Sequence, residues 1–189
     1  MKLKYLSLYI ITIIVILTPF LFGEIFGKKA ITLKEAYDIG LVKAKEWDSG
    51  AFLTHISTVD RKIGNDLGSD GKRRSWNLTF EVPTKKKSLF ISIDDNKIEK
   101  SISRNSTSQF NGITQEEIGI DSPQIASKAI QSFNLRPGEN WAIGYHFTMF
   151  KQENQLFLTV VGRNEQNKFS KIYFNPKNGE YLGMQVNDR

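Results

Sequence analysis

Ile91-Ser92-Ile93-Asp94-Asp95-Asn96-Lys97-Ile98 and Ile172-Tyr173-Phe174-Asn175-Pro176-Lys177-Asn178-Gly179-Glu180-Tyr181 are two versions of one pattern. Each is an alternating apolar run, then a turn of Asp, Asn and Gly or Lys, then a return. Alternation marks a strand with one buried face, and Asp, Asn and Gly tolerate the left-handed backbone of tight turns. Working backward from the first turn, Trp76, Leu78, Phe80 and Val82 alternate with Asn77, Thr79 and Glu81. Phe52, Thr54 and Ile56 alternate with Leu53, His55 and Ser57, and Ile98–Ile102 follows the turn. Before these strands, Thr32-Leu33-Lys34-Glu35 has the form of a capping box. Leu33, Ala36, Tyr37, Leu41, Ala44 and Trp47 then recur at helical steps, with Gly40 on the same stripe, where it permits close packing on a sheet.

The order repeats in the second half. Ser122-Pro123 opens a helix with a hydroxyl cap and proline at the first position. Its apolar stripe is Ile125, Ala126, Ala129, Ile130 and Phe133, and Trp141 to Met149, Leu156 to Val161, Lys168 to Phe174 and Tyr181 to Met184 read as strands. A repeated helix-then-strands pattern predicts an α+β fold of two tandem units, each a helix packed on its own antiparallel sheet of about four strands. The expected divisions are an N-terminal segment 1–29, a first unit 30–103, a linker 104–119 and a second unit 120–189. Asp60 to Arg74 reads as a long polar loop between the first two strands.

The chain has 189 residues and no cysteine, which removes disulfides, zinc-thiolate sites and a cysteine nucleophile. Its net charge is +6, from 26 Lys and Arg against 20 Asp and Glu. Setting aside Lys2, Lys4, Lys28, Lys29 and Glu24 at the N-terminal end leaves 22 against 19. That is too mild for a nucleic-acid-binding surface, which needs a concentrated basic face. Tyr5 to Gly23 runs without a charge, and a bilayer core needs roughly 20 apolar residues in a helix. Small-residue cleavage signals after it are poor. The expectation is an uncleaved single-pass anchor in the cell membrane, with the basic flank Lys2 and Lys4 inside and the body outside the cytoplasm. The alternative is secretion after signal cleavage.

These elements resemble the PepSY family of bacterial envelope domains. The residues that carry the resemblance are the helix from Glu35-Ala36 to Ala44, the strand Trp76-Asn77-Leu78-Thr79-Phe80 and the two turns quoted above. The family's turn has aspartate, glycine, an acidic residue and an aliphatic one. Lys97 stands in place of the glycine, Asn175 in place of the aspartate and Tyr181 in place of the aliphatic residue. Leu156 stands where a second Trp76 would fall. The plan is also similar to membrane-anchored proteins with two cystatin-like repeats. The resemblance implies a non-enzymatic module that binds an envelope protein, such as a peptidase it regulates or inhibits, and brings no catalytic residue with it.

The residues themselves support no catalytic set. No Gly-x-Ser-x-Gly elbow, His-Glu-x-x-His pair or phosphate loop occurs, and no cofactor is expected. His55 and His146 lie at almost the same offset in their units; two ligands without fixed carboxylates make a poor zinc site. Asp66-Leu67-Gly68-Ser69-Asp70-Gly71 partly imitates a calcium loop, but Gly68 and Asn77 occupy ligand positions. Lys72-Arg73-Arg74 and Lys85-Lys86-Lys87 read as solvated basic runs at opposite ends of the Trp76 strand. The candidate partner-binding residues are Trp76, His55, His146 and Tyr145. Tyr145 or Tyr173 lining an open groove would favour the alternative function, binding of a small ligand or wall polymer in a cleft between the units.

Overall fold

A computed structural model describes residues 29–60, 66–107, 112–139 and 142–187. Its elements are α1 (Leu33–Trp47), β1 (Phe52–Thr58), β2 (Ser75–Val82), β3 (Lys87–Asp94), β4 (Lys97–Asn105), α2 (Ser122–Phe133), β5 (His146–Gln152), β6 (Gln155–Arg163), β7 (Phe169–Phe174) and β8 (Tyr181–Asn187).

The expectation of two helix-on-sheet units is overturned. Among the described residues, eight strands form one antiparallel sheet in the order β4-β3-β2-β1-β5-β6-β7-β8, so this part of the chain is mostly β with two α-helices. The join is β1 against β5, pairing His55 with Phe150, Ile56 with Met149 and Ser57 with Thr148. The physical reason is edge chemistry. A four-strand meander leaves its first strand with a row of unpaired N–H and C=O groups. Pairing β1 with β5 removes both inner edges and merges two apolar faces. The buried side chains accordingly form a single cluster from Ile31 to Phe174, with Leu53, Ile56, Trp76, Phe147, Met149 and Val160 at its middle. Alternation reports which face a residue occupies; it carries no information about which strand lies alongside.

The expected membrane span, Tyr5 to Gly23, lies outside the described residues. Among the described residues, no helix is long and apolar enough to cross a membrane.

Helix α1 packs tightly on β2. A Cβ built on Gly40 would stand 2.6 Å from Leu78 Cδ2 and 3.2 Å from the Phe80 ring. The helix N-termini meet each other. Thr32 and Glu35 form the reciprocal capping box read from sequence. The remaining free amides of α1 are closed by the other half of the chain: Leu33 N–H donates to Ser122 Oγ (2.9 Å) and Lys34 N–H to Asp121 Oδ1 (2.9 Å). Asp121, rather than Ser122, is the N-cap of α2, and its carboxylate therefore serves two helices.

The loop before β2 is a second fastening. Arg73 is fully buried, and its Nη1 donates to the carbonyls of Ile143 (2.9 Å) and Tyr145 (2.7 Å). Tyr145 N–H donates to Leu67 O at 2.7 Å. The Lys72-Arg73-Arg74 run is thus no solvated patch: Arg73 bridges the two halves, and Arg74 forms an ion pair with Asp95. The strand expected from Trp141 begins only at His146. Gly144 takes a left-handed φ of 73° and hydrogen-bonds Gly138 in both directions, which takes this stretch out of the ladder. Trp141 lies outside the described residues.

Candidate binding groove on the helix-free face

Each strand turns one set of side chains to the helices and the other away. Leu78, Phe80, Ile91, Phe147, Met149, Leu158 and Ile172 are fully buried under the helices. The opposite set is only half-buried and includes His55, Thr79, Phe150, Phe157, Lys171 and Tyr173. Where β1 meets β5 this second face forms a groove of about 470 Å³, lined by Thr54, His55, Thr79, Thr148, Phe150, Lys151 and Lys171. A register shift in β1 between Leu53 and His55 positions it. The extra residue, Thr54, donates its hydroxyl to Thr79 O at 3.1 Å, and the shift keeps both Leu53 and Ile56 in the core while His55 faces the groove.

Charge and rings are concentrated on the β5–β7 side. The Lys171 ammonium lies 5.6 Å from the ring centroids of both Phe150 and Tyr173. Phe157 lies 5.7 Å from Phe150 and 5.7 Å from Tyr173, so three rings cross three adjacent strands. Burial lowers the Lys171 pKa and raises that of Tyr173. Burial is also the largest cause that lowers the His55 pKa, reinforced by His146 and Lys171 nearby. His55 is therefore held toward its neutral form.

Of the four candidate residues, the structure brings only His55 to the groove. Trp76 is fully buried, stacks on Phe147 at 6.4 Å, and donates its indole N–H to the carbonyls of Ile31 and Arg73. Tyr145 is 4% exposed and its hydroxyl donates to Leu135 O. Both are core residues: Trp76 lies on the apolar phase of β2, and Tyr145, just before β5, is held inward by Leu67 and Leu135. His146 faces away from the helices, but its Nδ1 lies 3.1 Å from both carboxylate oxygens of Asp60, which in turn lies 3.6 Å from Arg73 Nη2. Asp66 accepts the Arg74 N–H and Asp70 the Lys72 N–H, so both carboxylates of the calcium-like stretch serve the loop itself. No cluster of three or more His, Cys, Asp or Glu side chains able to hold a metal occurs among the described residues.

Phe150, Phe157 and Lys171 were missed at the sequence level. The signal was present: Phe150 and Phe157 lie opposite each other across the β5–β6 hairpin, on the non-core phase of both alternations. Their meeting with His55 depends on the β1–β5 pairing, which nothing local specifies.

No protein-family model matches the chain, and no curated protein sequence matches it. The architecture, one antiparallel sheet covered on one face by two helices, is similar to that of a solved structure described as a "putative lipoprotein" from Clostridium difficile 630. The TM-score is 0.59 at 13% identity, covering 80% of this chain and 92% of that one. At that identity the likeness is one of fold.

Proposed function

We propose that the protein is a non-enzymatic binding module that works outside the cytoplasm of a bacterial cell, tethered through Tyr5 to Gly23, and holds its ligand on the helix-free face of the sheet. The observation that carries this reading is the groove at the β1–β5 join, of a size usual for ligand sites, with rings, hydroxyls and a cation converging on it. The PepSY resemblance and the lipoprotein name of the structural neighbour support the envelope location. Under the PepSY reading, the occupant is a peptidase or another wall-associated protein that the module regulates or inhibits.

A second reading, a small ligand or wall polymer, is favoured by where the groove lies. It is not a cleft between two units but the middle of one sheet, where β1 and β5 are paired on both sides. Strand addition, the common route for extended peptides, needs a free edge. The test of the binding face is radical footprinting of Phe150, Phe157 and Tyr173 in the full chain, in detergent, with and without solubilised envelope material. Protection of these rings is the expected result. Protection confined to the outer strands β4 and β8 would show an edge-binding protein instead.

A further inference from the structure

We propose that the groove takes an acidic glycan, a chain of sugar rings bearing carboxylates, laid across β1, β5, β6 and β7. This rests on the binding-face reading above and names the ligand for it. Position is the first support. Every backbone group in the middle of the sheet already has a strand on each side, so an occupant there is recognised by side chains.

Charge is the second. Lys171 has no carboxylate partner among the described residues; its ammonium lies against the rings of Phe150 and Tyr173 and shares the groove with His55. A half-buried ammonium without a counter-charge is costly, and an arriving carboxylate relieves that cost. The other ionisable groups lining the groove, Lys151 and His55, are engaged or neutral. Lys151 is held by Glu117 at 2.8 Å, and His146 by Asp60. Glu81, two residues beyond Thr79 on β2, is 3% exposed and receives the Ser106 hydroxyl. His55 is left as a neutral ring able to donate and accept one hydrogen bond each.

Shape is the third. Phe150, Phe157 and Tyr173 make an apolar track across three strands, each about 4.8 Å from the next. The track continues past the groove toward β8, where the Tyr173 hydroxyl donates to Gln185 Oε1 at 3.1 Å. Such a track suits the C–H faces of successive sugar rings. The hydroxyls of Thr79 and Thr148 at its start suit sugar hydroxyls. A phosphate chain without rings would leave the aromatic track unused, and a neutral glycan would leave Lys171 without a counter-charge.

Isothermal titration of the full chain in neutral detergent with a hexamer of galacturonic acid tests this. Saturable binding is expected that weakens with added salt, falls at least about tenfold for the methyl-esterified hexamer, and falls similarly in Lys171→Met. Lys171→Arg should retain binding, and Tyr173→Ala should weaken it with an unchanged circular dichroism spectrum. A glycerol-phosphate oligomer, an anion without rings, should bind worse than the uronate. Absence of uronate binding, equal binding of the ester, or an unaffected Lys171→Met variant would overturn the inference. If envelope material still protects the three rings while every glycan fails, the binding face stands and the ligand class falls. If neither binds, both fall.

Discussion

Phe147 reports directly on whether the two halves form one cooperative body. It belongs to β5 yet stacks on Trp76 of β2, and its own N–H donates to Thr58 Oγ1 of β1 at 3.1 Å. It is fully buried. Phe147→Ala removes a ring from a packed core, at about 3–5 kcal/mol. With a urea slope of about 2 kcal/mol per molar, the midpoint should fall by about 2 M. The informative readout is where that loss appears. With Trp47 and Trp141 replaced by Phe, Trp76 is the sole indole and sits in the first half of the chain. Trp76 fluorescence and far-UV circular dichroism should then shift together, with one coincident transition before and after the substitution. In a double-mutant cycle with Trp76→Ala, the pair should show about 0.5–1.5 kcal/mol of coupling from ring contact. Two separate transitions, with the Trp76 midpoint unmoved by Phe147→Ala, would refute the single sheet and its shared core.

Other sites should respond in equally specific ways. Asp121→Ala strips a cap from both helices and should cost about 1–3 kcal/mol in urea unfolding, while Asp121→Asn should recover most of it. Gly71→Ala should cost more than about 2 kcal/mol, because Gly71 has φ of 78° and an added Cβ would lie 2.3 Å from the backbone nitrogen of Pro123. His55 has a folded-state pKa below its ordinary 6.5, with His146 and Lys171 facing it. The unfolded chain therefore binds the proton more readily, and stability should decline as pH falls through about 6.5 until the folded pKa is passed. Urea midpoints of His55→Gln measured between pH 7.5 and 5 should show a shallower decline than wild type; an identical slope would remove His55 from that role.

Both helices, their apolar stripes and the strands that follow were readable in the chain, because each depends on local periodicity and capping. The capping box of Thr32 and Glu35 and the close approach at Gly40 are of this kind. So is the alternation that separates Leu78 and Phe80 from Asn77 and Thr79. That same alternation already placed Trp76 in the core, since residues on the apolar phase of a strand under a helix are buried whatever their chemistry; Tyr145 lies just before β5, and its burial depends on Leu67 and Leu135 being brought to it. Arg73 was harder, since a basic run reads as solvated until the carbonyls of Ile143 and Tyr145 are brought to it.

The sequence by itself determined which residues form helices, which form strands and which face of each strand is apolar, because those are properties of neighbours a few positions apart. It also carried the charge-free stretch from Tyr5 to Gly23. Only the tertiary structure decided that β1 lies against β5, and everything at the groove follows from that pairing. His55 is set opposite Phe150, Lys171 comes to face them both, and two meanders become one sheet. Strand pairing between segments some ninety residues apart is chosen by the closing of free edges and the merging of apolar faces, and neither leaves a mark on the local order of residues.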